Sequence, residues 1–187
     1  IAQKKDPIPT DLISQLRETE RLSARYKQPQ SQAYALNLLA NTYARIKKPD
    51  SAEYFANRSL KLTNPLQIKW LVALNHFYLG LVHQFRNESY LAIDSYRKSF
   101  KIAESENDLS MLRELSRHTA DSYSRMGNYE KAYEASLMTL DYANRFNTSE
   151  QTKSIRLQEY ESQINTLAVE KQLIEEQNRT QRVVNSM

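Results

Sequence analysis

The sequence predicts an all-α protein: an α-solenoid of about three helical hairpins, each about 40 residues long, between an N-terminal helix and a long C-terminal helix. Three observations lead to this fold class. The 187 residues include only 2 glycines and 5 prolines, too few for the many tight turns of a β-sandwich or barrel. Apolar side chains recur at helical spacing between the prolines. Small side chains recur forty residues apart, which indicates an internal repeat.

The prolines separate the predicted helices, because proline lacks an amide hydrogen and stands at the start of a helix or outside it. Pro7 and Pro9 precede the first helix, and Pro29, Pro49 and Pro65 lie between apolar stretches. From these breaks and the apolar spacing, helices are predicted at about residues 10–26, 31–46, 50–63, 67–86, 89–105, 108–126, 130–145 and 149–182.

Large apolar residues share one face within these segments. Leu36, Leu39 and Tyr43 do so in the second helix, and Tyr96 and Phe100 do so in the fifth. No segment alternates polar and apolar residues in the manner of a half-buried strand, so the prediction contains helices only.

The repeat is visible when the sequence is compared with itself at a step of forty residues. Ala52, Ala92 and Ala132 are related in this way. The same step relates three small residues, Ala40, Gly80 and Ala120, and three planar rings, Tyr43, His83 and Tyr123. It also relates three large apolar residues, Leu60, Phe100 and Leu140. Leu39 and Leu79 match each other, whereas the third repeat has Thr119.

Small residues at matching places predict close contact between paired helices. Gly80 lies in the middle of a predicted helix, where glycine costs about 1 kcal/mol relative to alanine. We therefore expect a close contact between helices at this position. The repeats are predicted at about residues 32–65, 72–105 and 112–147, within a domain of residues 1–147.

These positions resemble the tetratricopeptide repeat (TPR) family over about residues 32–147. The first repeat carries the pattern more weakly, in Leu39, Ala40, Tyr43 and Ala52. The later repeats carry it in Leu79-Gly80, His83, Ala92 and Tyr96, and in Tyr123, Gly127-Asn128-Tyr129 and Ala132. The sequence departs from the family in its period of 40 rather than 34 residues, and in having Leu36, His76 and Ser116 where the family has tryptophan.

The resemblance implies that the first helix of each hairpin lines a concave face that holds a peptide or a partner helix. The residues predicted to bind a partner on this face are Tyr34, Asn37, Asn41, Arg45, Phe77, Leu81, Gln84, Phe85, Arg117, Asp121 and Arg125. Phe77, Leu81 and Phe85 form one apolar stripe, and because a stripe at helical spacing is also typical of a core, both interpretations stay open for these residues. Family members that bind the C-terminal carboxylate of a peptide do so with a set of basic and asparagine side chains on these helices. This sequence has an asparagine of that set at Asn41, but it has Asn37 where a basic residue is needed and Tyr78 where another asparagine is needed. Binding of a terminal carboxylate is therefore not expected.

The segment 148–187 predicts a long helix, partly a cap on the solenoid and partly a coiled-coil-like connector. Tyr160, Ile164, Leu167 and Ile174 form a heptad seam, with Lys171 as one polar member, and are a possible dimer contact. The segment resembles the connector that follows TPR domains in membrane-anchored signalling proteins of Bacteroidetes-type bacteria. That resemblance implies a periplasmic sensor domain anchored by a downstream membrane span, with a histidine kinase or a helix-turn-helix regulator as output.

The sequence favours no catalytic, metal or cofactor site. It has no cysteine, no Gly-rich phosphate loop and no HExxH motif. His76 and His83 occupy positions where the repeat places core rings, so a packed role is favoured over metal binding. The net charge of +4 comes from basic and acidic residues mixed along the chain, which argues against nucleic-acid binding.

We therefore expect a non-enzymatic module that binds a protein or peptide and takes part in signal transduction, with no cofactor. A homodimer through the C-terminal helix is expected, and a membrane contact only through a span outside these residues. The alternative is a free-standing adaptor or cytoplasmic regulator whose C-terminal helix is only a cap.

Overall fold

The computed structural model describes the backbone of residues 11–184 and the side chains of residues 11–165. This part of the chain contains seven helices and no strand, which confirms the predicted all-α fold. The helices are α1 Leu12–Arg25, α2 Pro29–Arg45, α3 Pro49–Thr63, α4 Lys69–Phe85, α5 Ser89–Ser105, α6 Leu109–Arg125 and α7 Tyr129–Val184. By its internal contacts the chain divides into two units, Ile1–Ala143 and Asn144–Met187.

The predicted break between the last two helices, at residues 146–148, is wrong. The structure has a single helix there, 56 residues long. No glycine or proline follows Gly127. Thr148 lies inside this helix and donates its hydroxyl hydrogen bond to the carbonyl oxygen of Asn144 at 2.9 Å, as threonine does inside a helix.

The turns between the helices recur every twenty residues. One residue in each turn has a positive φ, between 52° and 73°, and these residues are Lys27, Lys47, Gln67, Asn87, Asn107 and Gly127. In each turn the amide of this residue donates to the carbonyl three residues earlier, and the next amide donates to the carbonyl five residues earlier. Each of the helices α1 to α6 therefore ends in the same left-handed cap, and two helices with two turns make up the forty-residue repeat.

Neighbouring helices pack in chain order from α1 to α6, and α2 also packs against α4. A repeated hydrogen bond joins the two helices within each of the first two hairpins. The hydroxyl of Ser59 on α3 donates to the carbonyl oxygen of Ala33 on α2 at 2.9 Å. Forty residues later, Ser99 on α5 donates to the carbonyl oxygen of Ala73 on α4 at 2.8 Å. The equivalent residue of the third hairpin, Thr139, instead donates to Ala135 within its own helix.

The core of the first unit consists of two clusters of buried residues. One lies among α1 to α4 and includes Leu36, Leu39 and Phe55. The other lies among α5, α6 and the first part of α7 and includes Tyr96 and Tyr142. Both clusters are flanked by partly buried apolar residues of α4, which therefore lies at the centre of the unit.

Gly80 lies under the ring of Tyr96. A Cβ atom at Gly80 would overlap the ring, with Cζ at 2.8 Å. The expected close contact between paired helices is therefore present, and it is made by an aromatic ring rather than by two backbones.

Candidate functional site: the face of the first helices

The candidate binding face is formed by α2, α4 and α6, the first helices of the three hairpins. Its most exposed aromatic contact joins two hairpins. Tyr34 on α2 and Trp70 on α4 have ring centroids 5.8 Å apart, and the two residues are 47% and 52% exposed. Exposed tyrosine and tryptophan side chains are the residues most often found at the energetic centre of protein interfaces. Sequence analysis predicted Tyr34 but missed Trp70, although this is the only tryptophan in the chain.

Asn37 was predicted to line this face, and that prediction is wrong because the residue is only 1% exposed. Its side-chain amide donates to Oδ1 of Asn75 at 2.9 Å, and the amide of Asn75 donates to Oγ of Ser59 at 2.8 Å. Asn37 therefore belongs to a buried polar chain that joins α2, α4 and α3. Its hydrogen bonds are made inside the fold and are not offered to a partner.

Gln84 was also predicted to line the face, but it is 5% exposed and joins three helices. Its Nε2 donates to Oδ2 of Asp121 on α6 at 2.5 Å. Its Oε1 accepts from the hydroxyl of Tyr96 on α5 at 3.0 Å and lies 3.0 Å from Nδ1 of His118. Burial raises the pKa of Tyr96, which keeps this hydroxyl protonated as a donor. The hydrogen bonds of Gln84 thus join α4 to both α5 and α6.

Phe77 and Leu81 are core residues rather than a free apolar stripe. Both are half-buried and pack against the two core clusters. The ring of Phe77 contacts the rings of Tyr78, Tyr96 and His118, with centroids 5.4 to 6.0 Å apart. For Phe77 and Leu81 the structure therefore supports the core, whereas Phe85, the third residue of the stripe, is 39% exposed.

The other predicted residues of the face remain accessible. Asn41 is half-buried, and the exposed ones are Tyr34, Arg45, Phe85, Arg117, Asp121 and Arg125. Arg117 donates to Glu114 at 2.7 Å, and Arg125 donates to Asp121 at 3.1 Å. The accessible face therefore combines aromatic rings near α2 and α4 with paired charges on α6.

The histidines are held by packing and by hydrogen bonds. Burial lowers the pKa of His76, and the charge of Lys98 acts in the same direction. Nδ1 of His83 lies 2.7 Å from Oε2 of Glu88. Among the described residues, no group of three or more histidine, cysteine, aspartate or glutamate side chains lies close enough to hold a metal ion.

The predicted seam on α7 is described only in part. Tyr160 and Ile164 are 63% and 64% exposed, whereas Leu167 and Ile174 lie outside the residues whose side chains the structure describes. A search of the described residues finds no helix that is both long and apolar enough to span a membrane.

Comparison with known proteins identifies the fold. No family model matches the sequence, and no curated protein matches it significantly. Among solved structures, this chain is similar to the TPR domain of Arabidopsis FLU, with a TM-score of 0.57 and 22% sequence identity. The match covers 64% of this chain and 98% of that domain. The fold is therefore a TPR-like helical-repeat solenoid, as the sequence predicted.

Proposed function

We propose that this protein is a non-enzymatic module that binds a protein or peptide on the face formed by α2, α4 and α6. The observation that carries the proposal is the exposed aromatic pair Tyr34 and Trp70, which bridges two hairpins on the side where TPR-like solenoids present their first helices. The acidic residues Glu114 and Asp121 lie among the arginines of α6, so the face suits a peptide better than a nucleic acid.

The aromatic pair also provides the assay, because Trp70 is the only tryptophan in the chain. A phage-displayed random peptide library is selected on the wild-type protein, and an enriched peptide is titrated while tryptophan emission is recorded. We expect the emission to change with peptide concentration. Tyr34→Ala is expected to weaken binding by at least about tenfold, since truncation of an aromatic anchor typically costs 2 kcal/mol or more.

A matched control is Tyr26→Ala, because Tyr26 is an exposed tyrosine at the end of α1, outside the helices that form the proposed face. Its affinity for the same peptide should be unchanged. Equal affinity of the wild type and Tyr34→Ala, or no enriched peptide that alters Trp70 emission, would refute the proposed face.

For the cellular role, we propose the sensor or scaffold part of a bacterial signal-transduction protein, located in the periplasm and connected through α7 to a membrane span. The support is the length of α7, because the part from residue 144 to residue 184 extends about 60 Å at 1.5 Å per residue. The gene sequence beyond Met187 tests this role. It should encode an apolar stretch of about 20 residues. A stop codon there would instead favour the alternative, a free-standing adaptor or cytoplasmic regulator.

We also propose that the seam on α7 forms a homodimer, because Tyr160 and Ile164 are exposed apolar residues at heptad spacing. Sedimentation equilibrium of the wild type should give a dimer, and Tyr160→Asp with Ile164→Asp should give a monomer. Gln158→Asp adds a charge at an exposed neighbouring position and should leave the dimer intact. A wild type that remains monomeric at all concentrations would exclude the seam.

A further inference from the structure

A cavity that is open to solvent lies where the third hairpin packs against α5 of the second hairpin. It has a volume of about 350 Å³ and lies between α5, α6 and the first part of α7. Three rings line it, those of Tyr96, Phe100 and Tyr123, together with the side chain of Met138. Its walls come from the other side of α6 and from second helices of hairpins, so it is separate from the Tyr34 and Trp70 face.

The forty-residue repeat explains why the cavity exists. The repeat places Leu36 and Leu39 on α2, both fully buried, and His76 and Leu79 on α4. The same two positions on α6 hold Ser116 and Thr119, and both line the cavity. The hydroxyl of Ser116 donates to the carbonyl oxygen of Leu112 in its own helix. At these two positions the third hairpin therefore lacks the imidazole ring and the branched aliphatic side chain that the second hairpin has.

The size and lining of the cavity indicate the class of ligand. Pockets for small molecules begin at about 300 Å³, and an apolar cavity of about 150 Å³ is enough for benzene. The cavity is therefore large enough for a compact aromatic ring system. A planar ligand would contact Tyr96, Phe100 and Tyr123 and would occupy the place that the repeat gives to the ring of His76.

The charges at the cavity indicate which substituent such a ligand would carry. The cavity is lined by two basic side chains, Arg97 and Lys131, and by one acidic side chain, Glu134. The ammonium group of Lys131 lies 5.6 Å from the centre of the Tyr123 ring, beside the apolar lining. Arg97 is paired with Asp94 at 2.5 Å, and Asp94 is also paired with Lys98 at 2.7 Å, so the charges at and beside the cavity sum to +1 and favour an anionic group on the ligand. We propose that this cavity is a binding site for a small aromatic carboxylate.

Naphthoate serves as the probe, and its binding is followed by ¹⁵N NMR of the whole chain. We expect the amide signals of Ser116 and Thr119 to shift with naphthoate concentration. Naphthylmethylammonium, which has the same ring and the opposite charge, should bind at least about tenfold more weakly. Lys131→Gln should weaken naphthoate binding by about twofold to fivefold, as expected for loss of one exposed charge.

Thr119→Leu restores the residue found in the other two repeats and fills the cavity. It should keep the protein folded, raise its melting temperature and weaken naphthoate binding at least about tenfold. Thr19→Leu makes the same change at an exposed position of α1 and should leave binding unchanged. Unshifted wild-type signals, undiminished binding by Thr119→Leu or equal binding of the cationic probe would each overturn the proposal. None of these outcomes bears on the peptide-binding face, which is tested through Tyr34 and Trp70.

Discussion

The ring of Tyr96 occupies the space above Gly80 that a side chain would need. The same two positions in the first hairpin hold Ala40 and Ala56, and both are fully buried. The two hairpins thus fill the same contact in different ways: glycine with a large ring in one, and two alanines in the other. A glycine that weakens a helix is retained here because the ring of Tyr96 lies against it and reaches Gln84.

Gly80→Ala is expected to destabilise the protein, even though alanine is the better helix former. Overpacking against a fixed ring costs about 1–3 kcal/mol, which exceeds the gain of about 1 kcal/mol in helix propensity. Tyr96→Ala alone should cost about 3–5 kcal/mol through loss of a buried aromatic side chain. Urea denaturation of both single variants and of the double variant measures the coupling.

The double variant reproduces the alanine pair of the first hairpin. We expect it to be more stable than the sum of the single effects predicts, by about 1–2 kcal/mol, because the overlap is absent once the ring is removed. If the losses of stability in the two single variants simply add up in the double variant, the ring of Tyr96 does not require a glycine at position 80.

The serine hydrogen bonds between paired helices give a second prediction. Ser99→Ala removes the donor to the carbonyl oxygen of Ala73 and should lower the free energy of unfolding by about 1 kcal/mol. Ser59→Ala should cost more, about 2–3 kcal/mol, because Ser59 also accepts a hydrogen bond from the buried amide of Asn75. The control is Ser136→Ala, because Ser136 is exposed and donates only to Ala132 in its own helix. Its stability should be unchanged or slightly higher. Equal losses for Ser99→Ala and Ser136→Ala would argue against the inter-helix bonds.

The left-handed caps give a third prediction, which is a stabilising one. Lys47 has a φ of 56°, a conformation that costs a side-chain-bearing residue about 1–2 kcal/mol and glycine almost nothing. Lys47→Gly should therefore raise the free energy of unfolding by a few tenths to about 1 kcal/mol, after the greater entropy of unfolded glycine is included. Lys61→Gly is the control, because Lys61 is an exposed lysine with helical backbone inside α3. Its replacement should destabilise the protein by about 1 kcal/mol. A loss of stability in Lys47→Gly would contradict the assigned cap.

The forty-residue period could be predicted from the sequence because the small residues that set the helix contacts are chemically alike at matching positions. The twenty-residue period of the turns was missed for the opposite reason. The positive φ angle falls on lysine, glutamine, asparagine and glycine in turn, at positions such as Lys27, Gln67 and Gly127. The backbone hydrogen bonds of the cap, rather than a particular side chain, define this turn.

The candidate face was predicted only in part, because each first helix packs against more than its own partner. Asn37 points away from α3 and was therefore expected to be accessible, yet Asn75 of the next hairpin covers it. Gln84 is covered in the same way by α5 and α6. The side chains of Arg117 and Arg125 on α6 are exposed, so their role in partner binding stays a prediction. The spacing along one helix shows its faces, but it does not show which neighbouring hairpin covers them.

The pH dependence of stability gives the last prediction, and it rests on His76. Burial lowers the pKa of this imidazole in the folded protein, so the unfolded chain binds the proton more tightly. The contribution of His76 is therefore fully present above its unfolded pKa of about 6.5 and is lost as the pH falls below that value. His76→Leu, which places the leucine of the first repeat at this position, should remove this part of the dependence. Urea denaturation between about pH 5 and pH 8 should give a wild-type stability that falls towards acid more steeply than that of His76→Leu. Parallel curves for the two proteins would show that His76 is not protonated preferentially in the unfolded chain.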